Sequence, residues 1–330
     1  MSKKTTRYVY DIISIGDTSL DHFVQLDTAS LLCNLDGENC WLCLNYAEKI
    51  PIRSLKSVIG GNACNNAVGS ARLGLKAAFY SAIGDDEIGK NILKLVKREK
   101  VSLKYLLVQK KSQSNLSIAI NFKTERTELV YHQPRKYNLP KLSTAKWIYL
   151  TSMGKGFPVV HKQLLNHIDN TGALLAFNPG THQLLAGTKS LLPILKRSNL
   201  LIVNKEEAEK LLGDRTMGSM EERMVQLRML GSDIVVITDG DKGAYASDGK
   251  KQYHMKNVPA KVLEKTGAGD SFSTGFLAAL CHEKSIADAL VWGAVNAASV
   301  IEHIGPQEGL MTKKTLLARI KKSKCKAIKL

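Results

Sequence analysis

Short apolar runs rich in β-branched residues (DIISIG, AAFYSAIG, KWIYL, ALLAFN, LLIVN, DIVVITDG) recur along this chain, with longer segments of helical periodicity between them. That alternation constrains the fold more than any other feature. Strands that must each be followed by a helix pair in parallel, so the reading is an α/β fold with a mainly parallel sheet and helices on both faces. In such sheets ligands bind beyond the carboxyl ends of the strands. Two stretches break the pattern. NLSIAINFKTERTELVYH reads as two strands around a polar turn, and HFVQL and AEKIPIRSLKSV also read as extended. Together they predict a small β-sheet lid built from discontinuous segments near 20–26, 46–58 and 116–132. No linker, repeat or low-complexity stretch divides the 330 residues, so one domain over 1–330 is expected.

The formal net charge of +17 draws polyanions to some face, but it is spread along the chain and no recognition motif accompanies it. The densest run, KKTLLARIKKSKCKAIKL, reads as a solvated basic helix, and no specific nucleic-acid partner is expected. No run of about 18 apolar residues and no leader-like start occur, which predicts a soluble cytoplasmic protein with no membrane partner. Six cysteines in such a chain read as reduced thiols. Three of them, Cys33, Cys40 and Cys43, cluster, but a closed zinc site needs four ligands and the stretch supplies three; His22 could be a fourth in space, though nothing in the sequence shows it, so folding without metal is expected.

Two motifs carry chemistry. In GGNACNNAVGSARLG, Gly60 and Gly61 end an extended stretch, and the helix after them puts Ala63, Ala67 and Ala71 on one face. Asn62 shares a face with Asn65 and Asn66, and amides that donate and accept suit a polyol. A helix cap would explain Asn62 equally well, though not Asn65. In LEKTGAGDSF, small residues open a helix whose Phe272, Phe276 and Leu280 recur every four residues. First-turn amides there attract an anion. The carboxylate of Asp270 behind them gains roughly 0.3–1 kcal/mol from the helix dipole, and capping alone would account for it. Weaker signals are LLIVNKEEAEKLLG, with Asn204 ending a strand and Glu207 in the next first turn, and the glycine turn at Gly240 in VVITDGDKGAY.

In this order the motifs resemble the ribokinase-like (PfkB) sugar and nucleoside kinases, from SIGDTSLDH to HIGPQEG. The resemblance implies the family's three-layer α/β fold with a β-sheet lid and an ATP-dependent phosphotransferase. It implies Asp270 as catalytic base and the amides of Gly267, Ala268 and Gly269 as anion hole. Asn204 and Glu207 would order the ATP phosphates and the water shell of Mg2+, and Thr238 and Gly240 would face the adenine. Asp21, Gly61, Asn62 and Asn65 would contact acceptor hydroxyls, and TERTELVYH would belong to the lid. A hydroxymethyl group of a small sugar is the expected acceptor, with a nucleoside as the alternative, a silent sugar-binding protein as a lesser one, and a homodimer through the lid as the assembly. Glu264 and Lys265 replace the usual Asp-Thr, which leaves K+ dependence open. No Walker loop occurs.

Overall fold

The computed structural model describes residues 8–34, 40–123, 125–213 and 218–330. In chain order the first half runs β1 (Tyr10–Ile15), β2 (Ser19–Leu26), β3 (Ser30–Cys33), β4 (Cys40–Cys43), β5 (Ile52–Gly60), α1 (Asn62–Arg72), β6 (Ala77–Gly84), α2 (Glu87–Arg98), β7 (Ser102–Gln109), β8 (Asn115–Phe122), β9 (Glu125–Tyr131) and β10 (Ala145–Leu150). It continues through α3 (Phe157–Thr171), β11 (Leu174–Phe177), α4 (Thr181–Leu185), α5 (Thr188–Leu195), β12 (Leu200–Asn204), α6 (Lys205–Leu212), α7 (Met220–Met229) and β13 (Ile234–Thr238). The last elements are β14 (Ala244–Ser247), β15 (Gln252–Met255), α8 (Ala268–Cys281), α9 (Ile286–Val300), α10 (Lys313–Ser323) and β16 (Ile328–Lys329).

The large sheet has the order β16-β15-β14-β13-β12-β11-β10-β1-β6-β7. From β7 to β13 it is parallel, and β14 to β16 finish it antiparallel. Its inner strands are apolar throughout because both faces are covered. All eight residues of β6 are buried. Strand periodicity then sorts side chains to two sides. Ile12, Phe79 and Ile202 pack with α1, α2, α8 and α9, whereas Ile13, Tyr80 and Leu201 pack with α3, α5, α6 and α7. This is the expected three-layer arrangement.

The extended segments that broke the alternation form a separate sheet of order β5-β2-β8-β9. Strand β2 lies antiparallel to β5 and parallel to β8. Residues 46–51 of the segment read as extended lie before β5, and Pro51, which cannot donate to a ladder, stands at its edge. One expectation is corrected. Cys33 and Cys40 form a disulfide, not a pair of thiols, because β3 and β4 pair antiparallel with these two residues directly opposite, Cα atoms 4.0 Å apart. Cys43, Cys64, Cys281 and Cys325 are free. No helix among the described residues is long and apolar enough to cross a membrane.

Helices α1, α8 and α9 approach closely because small residues stand at their crossings. A Cβ on Gly275 would lie 2.6 Å from the Trp292 carbonyl oxygen of α9. Asn66 of α1 donates to the Thr274 hydroxyl of α8 at 3.2 Å and accepts from the Ser14 hydroxyl of β1 at 2.7 Å. Replacing Gly275 by Ala gains at most about 1 kcal/mol of helix propensity. The overlap with backbone costs roughly 1–3 kcal/mol, so sterics win. Gly275→Ala is therefore expected to lower Tm by several degrees in a thermal melt, and an unchanged or higher Tm contradicts the packing argument.

Candidate active site

Helix α8 opens on Gly267, whose φ of 79° belongs to the left-handed region and whose place beside Pro306 leaves no room for a Cβ. No side chain caps this end. The Ser271 amide bonds the Gly267 carbonyl at 2.9 Å, and the Ala268 amide makes a long 3.3 Å contact with the Lys265 carbonyl. Those of Gly269 and Asp270 sit in the first turn, where a helix supplies no acceptor. Asp270 does not cap. Its Oδ2 instead accepts from Asn65 Nδ2 of α1 at 2.8 Å, and Asn65 Oδ1 accepts from Gln307 Nε2 at 2.9 Å. Burial pushes the Asp270 carboxyl up to about 6, outweighing the Asn65 hydrogen bond, and the negative charges of Asp21 and Glu207 act in the same upward direction.

A polar cleft of about 310 Å³ lies on one side of this turn. Of the residues singled out in the sequence, Asp21, Gly61, Asn62, Asn65, Gly267 and Asp270 all border it. Asp21, on β2, accepts from the hydroxyls of Ser19 at 2.6 Å and Ser117 at 2.7 Å, and burial raises its pKa. Gly61 turns the chain from β5 into α1 with φ 92°, where a Cβ would strike Asp17 and Thr18 backbone atoms at 2.6 Å. Asn62 is thus the first helical residue and makes no capping bond. Asn65 reaches the cleft, but its amide is taken up by Asp270 and Gln307. Asn66, its neighbour, is fully buried between β1 and α8.

The sequence reading missed other residues of the same wall. Asp17 is 7% exposed, and its Oδ2 accepts from the Tyr137 hydroxyl at 2.6 Å and the Gly154 amide at 2.9 Å. Its place just past the carboxyl end of β1, behind Gly16, was the available signal. Arg126 of β9 also lines the cleft, donates to the Thr266 hydroxyl, and lies 3.6 Å from Glu128 and 4.0 Å from Glu264. Glu264 in turn accepts from the Thr266 amide at 2.8 Å, and its Oε2 is buried without a donor.

On the other side of the same helical turn lies a mostly apolar cleft of about 390 Å³. Thr238, Gly240, Ala268 and Gly269 line it with Phe272 and Lys265. Asn204 and Glu207 are not in its wall. They stand at the end of β12, where Asn204 pairs with Thr238, and each side chain accepts from the other's amide, at 2.8 and 2.9 Å. Burial raises the Glu207 pKa. An apolar slot ending at free helix amides fits a nucleotide, base in the slot and phosphates at the helix end. A carboxylate at that strand end, held up by desolvation, fits a hydrated Mg2+.

Residues 28–313 match the pfkB family carbohydrate kinases. The chain belongs to that family. It is 28% identical to the ribokinase of Haemophilus influenzae over 288 residues, 82% of this chain and 90% of that protein. It is 27% identical to an uncharacterized sugar kinase of Archaeoglobus fulgidus over 257 residues, 74% of this chain and 98% of the other. In fold it resembles the nucleoside kinase of Methanocaldococcus jannaschii with a TM-score of 0.78, 22% identity, and 96% and 99% of the two chains covered. Ribokinase of Arabidopsis thaliana, solved with ribose and ATP, superposes with a TM-score of 0.77 at 19% identity, covering 94% and 99%. This pfkB protein is accordingly an ATP-dependent kinase of the ribokinase family, whose members use ATP and Mg2+.

The Asn65 bond favours the charged form of Asp270, so its removal has a signed effect. In Asn65→Ala the midpoint of Asp270 ionisation, followed by carboxyl infrared absorption, should move above about 6. A fall in that midpoint contradicts the assigned geometry.

Proposed function

We propose that this kinase phosphorylates a hydroxymethyl group of a small sugar, with Asp270 as general base. The observation that carries the reading is the single turn at the start of α8. It presents Gly267 and Asp270 to the polar cleft and Ala268 and Gly269 to the apolar one. A hydroxyl in the first cleft and a triphosphate in the second would meet across that turn. The polar cleft favours a sugar over a nucleoside, since among the described residues no Phe, Tyr or Trp lines it to stack on a base.

Asp270 takes the proton of the hydroxymethyl group as its oxygen bonds to the γ-phosphorus and the bridging P–O bond breaks toward ADP. First-turn amides of α8, led by that of Gly269, hold the charge on the transferring oxygens. Asn204 and Glu207 would order the phosphates and the water shell of Mg2+, which when bound would supply neutralising charge. Thr238 and Gly240 stand on the base side, and Asp21, Gly61, Asn62 and Asn65 orient the acceptor, Asn65 by way of Asp270. Support for a K+ ion comes from the buried, donorless Glu264 Oε2 beside the anion-hole loop.

Asp270→Asn keeps the shape and the backbone amides but removes the proton acceptor, a loss worth roughly 10²- to 10⁴-fold. The expected result is a fall in kcat of at least about a hundredfold with ATP affinity little changed. Because the base works deprotonated, wild-type kcat/KM should rise with pH through about 6 and then level off. A variant keeping more than about a tenth of kcat, or a flat profile across that range, rejects the assignment.

The β5-β2-β8-β9 sheet supplies Asp21, Ser117, Arg126 and Glu128 to the cleft, which supports its reading as a lid that closes on the acceptor. Amide hydrogen exchange in β8 and β9 should slow when acceptor and nucleotide are both bound. Exchange unchanged at saturation argues for a fixed sheet.

A further inference from the structure

Among the described residues walling the acceptor cleft, Asp17 is the one with a buried side-chain atom left without a hydrogen-bond partner. It is more than nine-tenths buried, and its Oδ2 is fixed by Tyr137 and Gly154. Its Oδ1 is buried with no donor at all. A buried polar atom left unpaired costs about 1–3 kcal/mol, more when charged, so such an atom in a cleft wall is a cost retained for a ligand. The other cleft carboxylates differ. Asp21 takes two hydroxyls, and Asp270 takes Asn65. Burial raises the Asp17 pKa, while Tyr137, Gly154, His132 and Arg135 act the other way.

The charge balance says what the ligand is. Asp17, Asp21, Glu128 and Asp270 all line the cleft, against Arg126 and His132. The Arg126 guanidinium is shared with Glu128 and Glu264. A carboxylate or phosphate on the acceptor would face this surplus of acid, whereas a neutral hydroxyl would complete Asp17. The geometry points to Asp17 as a specificity-determining residue, its Oδ1 receiving a second hydroxyl of the acceptor, so that the cleft selects neutral polyhydroxy sugars over sugar acids and sugar phosphates. This assignment rests on the sugar-kinase reading.

The test compares kcat/KM of wild type and Asp17→Asn over neutral pentoses and hexoses, their monodeoxy analogues, sugar acids and sugar phosphates. In Asp17→Asn the amide oxygen can still accept from Tyr137 and Gly154, which protects the fold, but the unpartnered acceptor becomes a donor. Wild type should favour the neutral sugar. One monodeoxy analogue, lacking a hydroxyl other than the phosphorylated one, should lose roughly 10- to 150-fold, the range of a hydrogen bond to a charged group. Asp17→Asn should shrink that penalty at least threefold and narrow the preference for neutral acceptors. Deoxy penalties equal in both enzymes at every position, or a wild-type preference for an acid or phosphate, overturn the inference while the kinase reading stands. A wild type that phosphorylates no sugar in the panel overturns both. Should Asp17→Asn not fold, Tyr137→Phe removes one of the two donors that orient the carboxylate. It should raise acceptor KM at least threefold with kcat within twofold, and an unchanged KM counts against Asp17.

Discussion

The hydrogen bond from Asn65 to Asp270 joins two helices that are 205 residues apart in sequence, and the rest of the site depends on it. It exists because α1 and α8 pack side by side. Asn66, one residue further along α1, bonds Thr274, one turn further along α8, while Ser14 ties Asn66 to the central strand β1. A Cβ on Gly69 would come within 2.6 Å of the Thr274 methyl, so only a glycine allows this approach. Helix α8 is held again from its far side, where Asn296 of α9 donates to the Ser271 carbonyl at 2.8 Å. The carboxylate is therefore placed by the close-packed core, and its geometry is as rigid as that core.

The same placement sets its chemistry. Burial raises the Asp270 pKa to about 6, and the charges of Asp21 and Glu207 add to it, while one hydrogen bond opposes. Burial wins because the carboxylate is deeply buried with a single charge-stabilising donor, whereas Asp86, the less buried N-cap of α2, accepts from the Ser114 hydroxyl and from the Ser114 and Gly89 amides and is held below its ordinary value. A base whose pKa sits near neutrality combines an ionised form at working pH with a useful affinity for the proton. In the proposed role of base, Asp270 would be weakened by further donors, which lower its pKa.

What the sequence disclosed follows the range of the forces involved. Strands buried on both faces announce themselves as apolar runs, so β1, β6, β10, β11, β12 and β13 were legible. Edge strands are not: β7, half-exposed along its length, and the two-residue β16 read as nothing in particular, and neither does the short β15 beside β16. The Cys33–Cys40 bridge depends on a hairpin register that composition does not encode. In the site, the residues within motifs were found. Ser117 was not, because it enters only when β8 pairs with β2 so that Asp21 faces it, a contact spanning 96 residues. Asp17 and Arg126 are long-range in the same sense. Asn65 was found for one reason and holds another position, since a local face count cannot tell a group that meets a ligand from one that meets the next helix.

The polar cleft is also continuous with the core through the chain itself. Strand β1 leads through Gly16, Asp17 and Thr18 directly into β2, and β5 leads through Gly61 directly into α1. The Thr18 hydroxyl donates to the Gly60 carbonyl at 2.7 Å and pins these two crossings to each other. The small sheet thus joins the core where Asp17 and Gly61 stand, beside β2 and β5, and β9 lies at its opposite edge beyond β8. Arg126 on β9 touches Thr266, one residue before the turn that opens α8. The sheet is therefore tied to the core at two places on the wall of one cleft, at Asp17 and Gly61 and, through Arg126, at Thr266. On the proposed roles, this ties the position of the acceptor to the geometry of the first turn of α8.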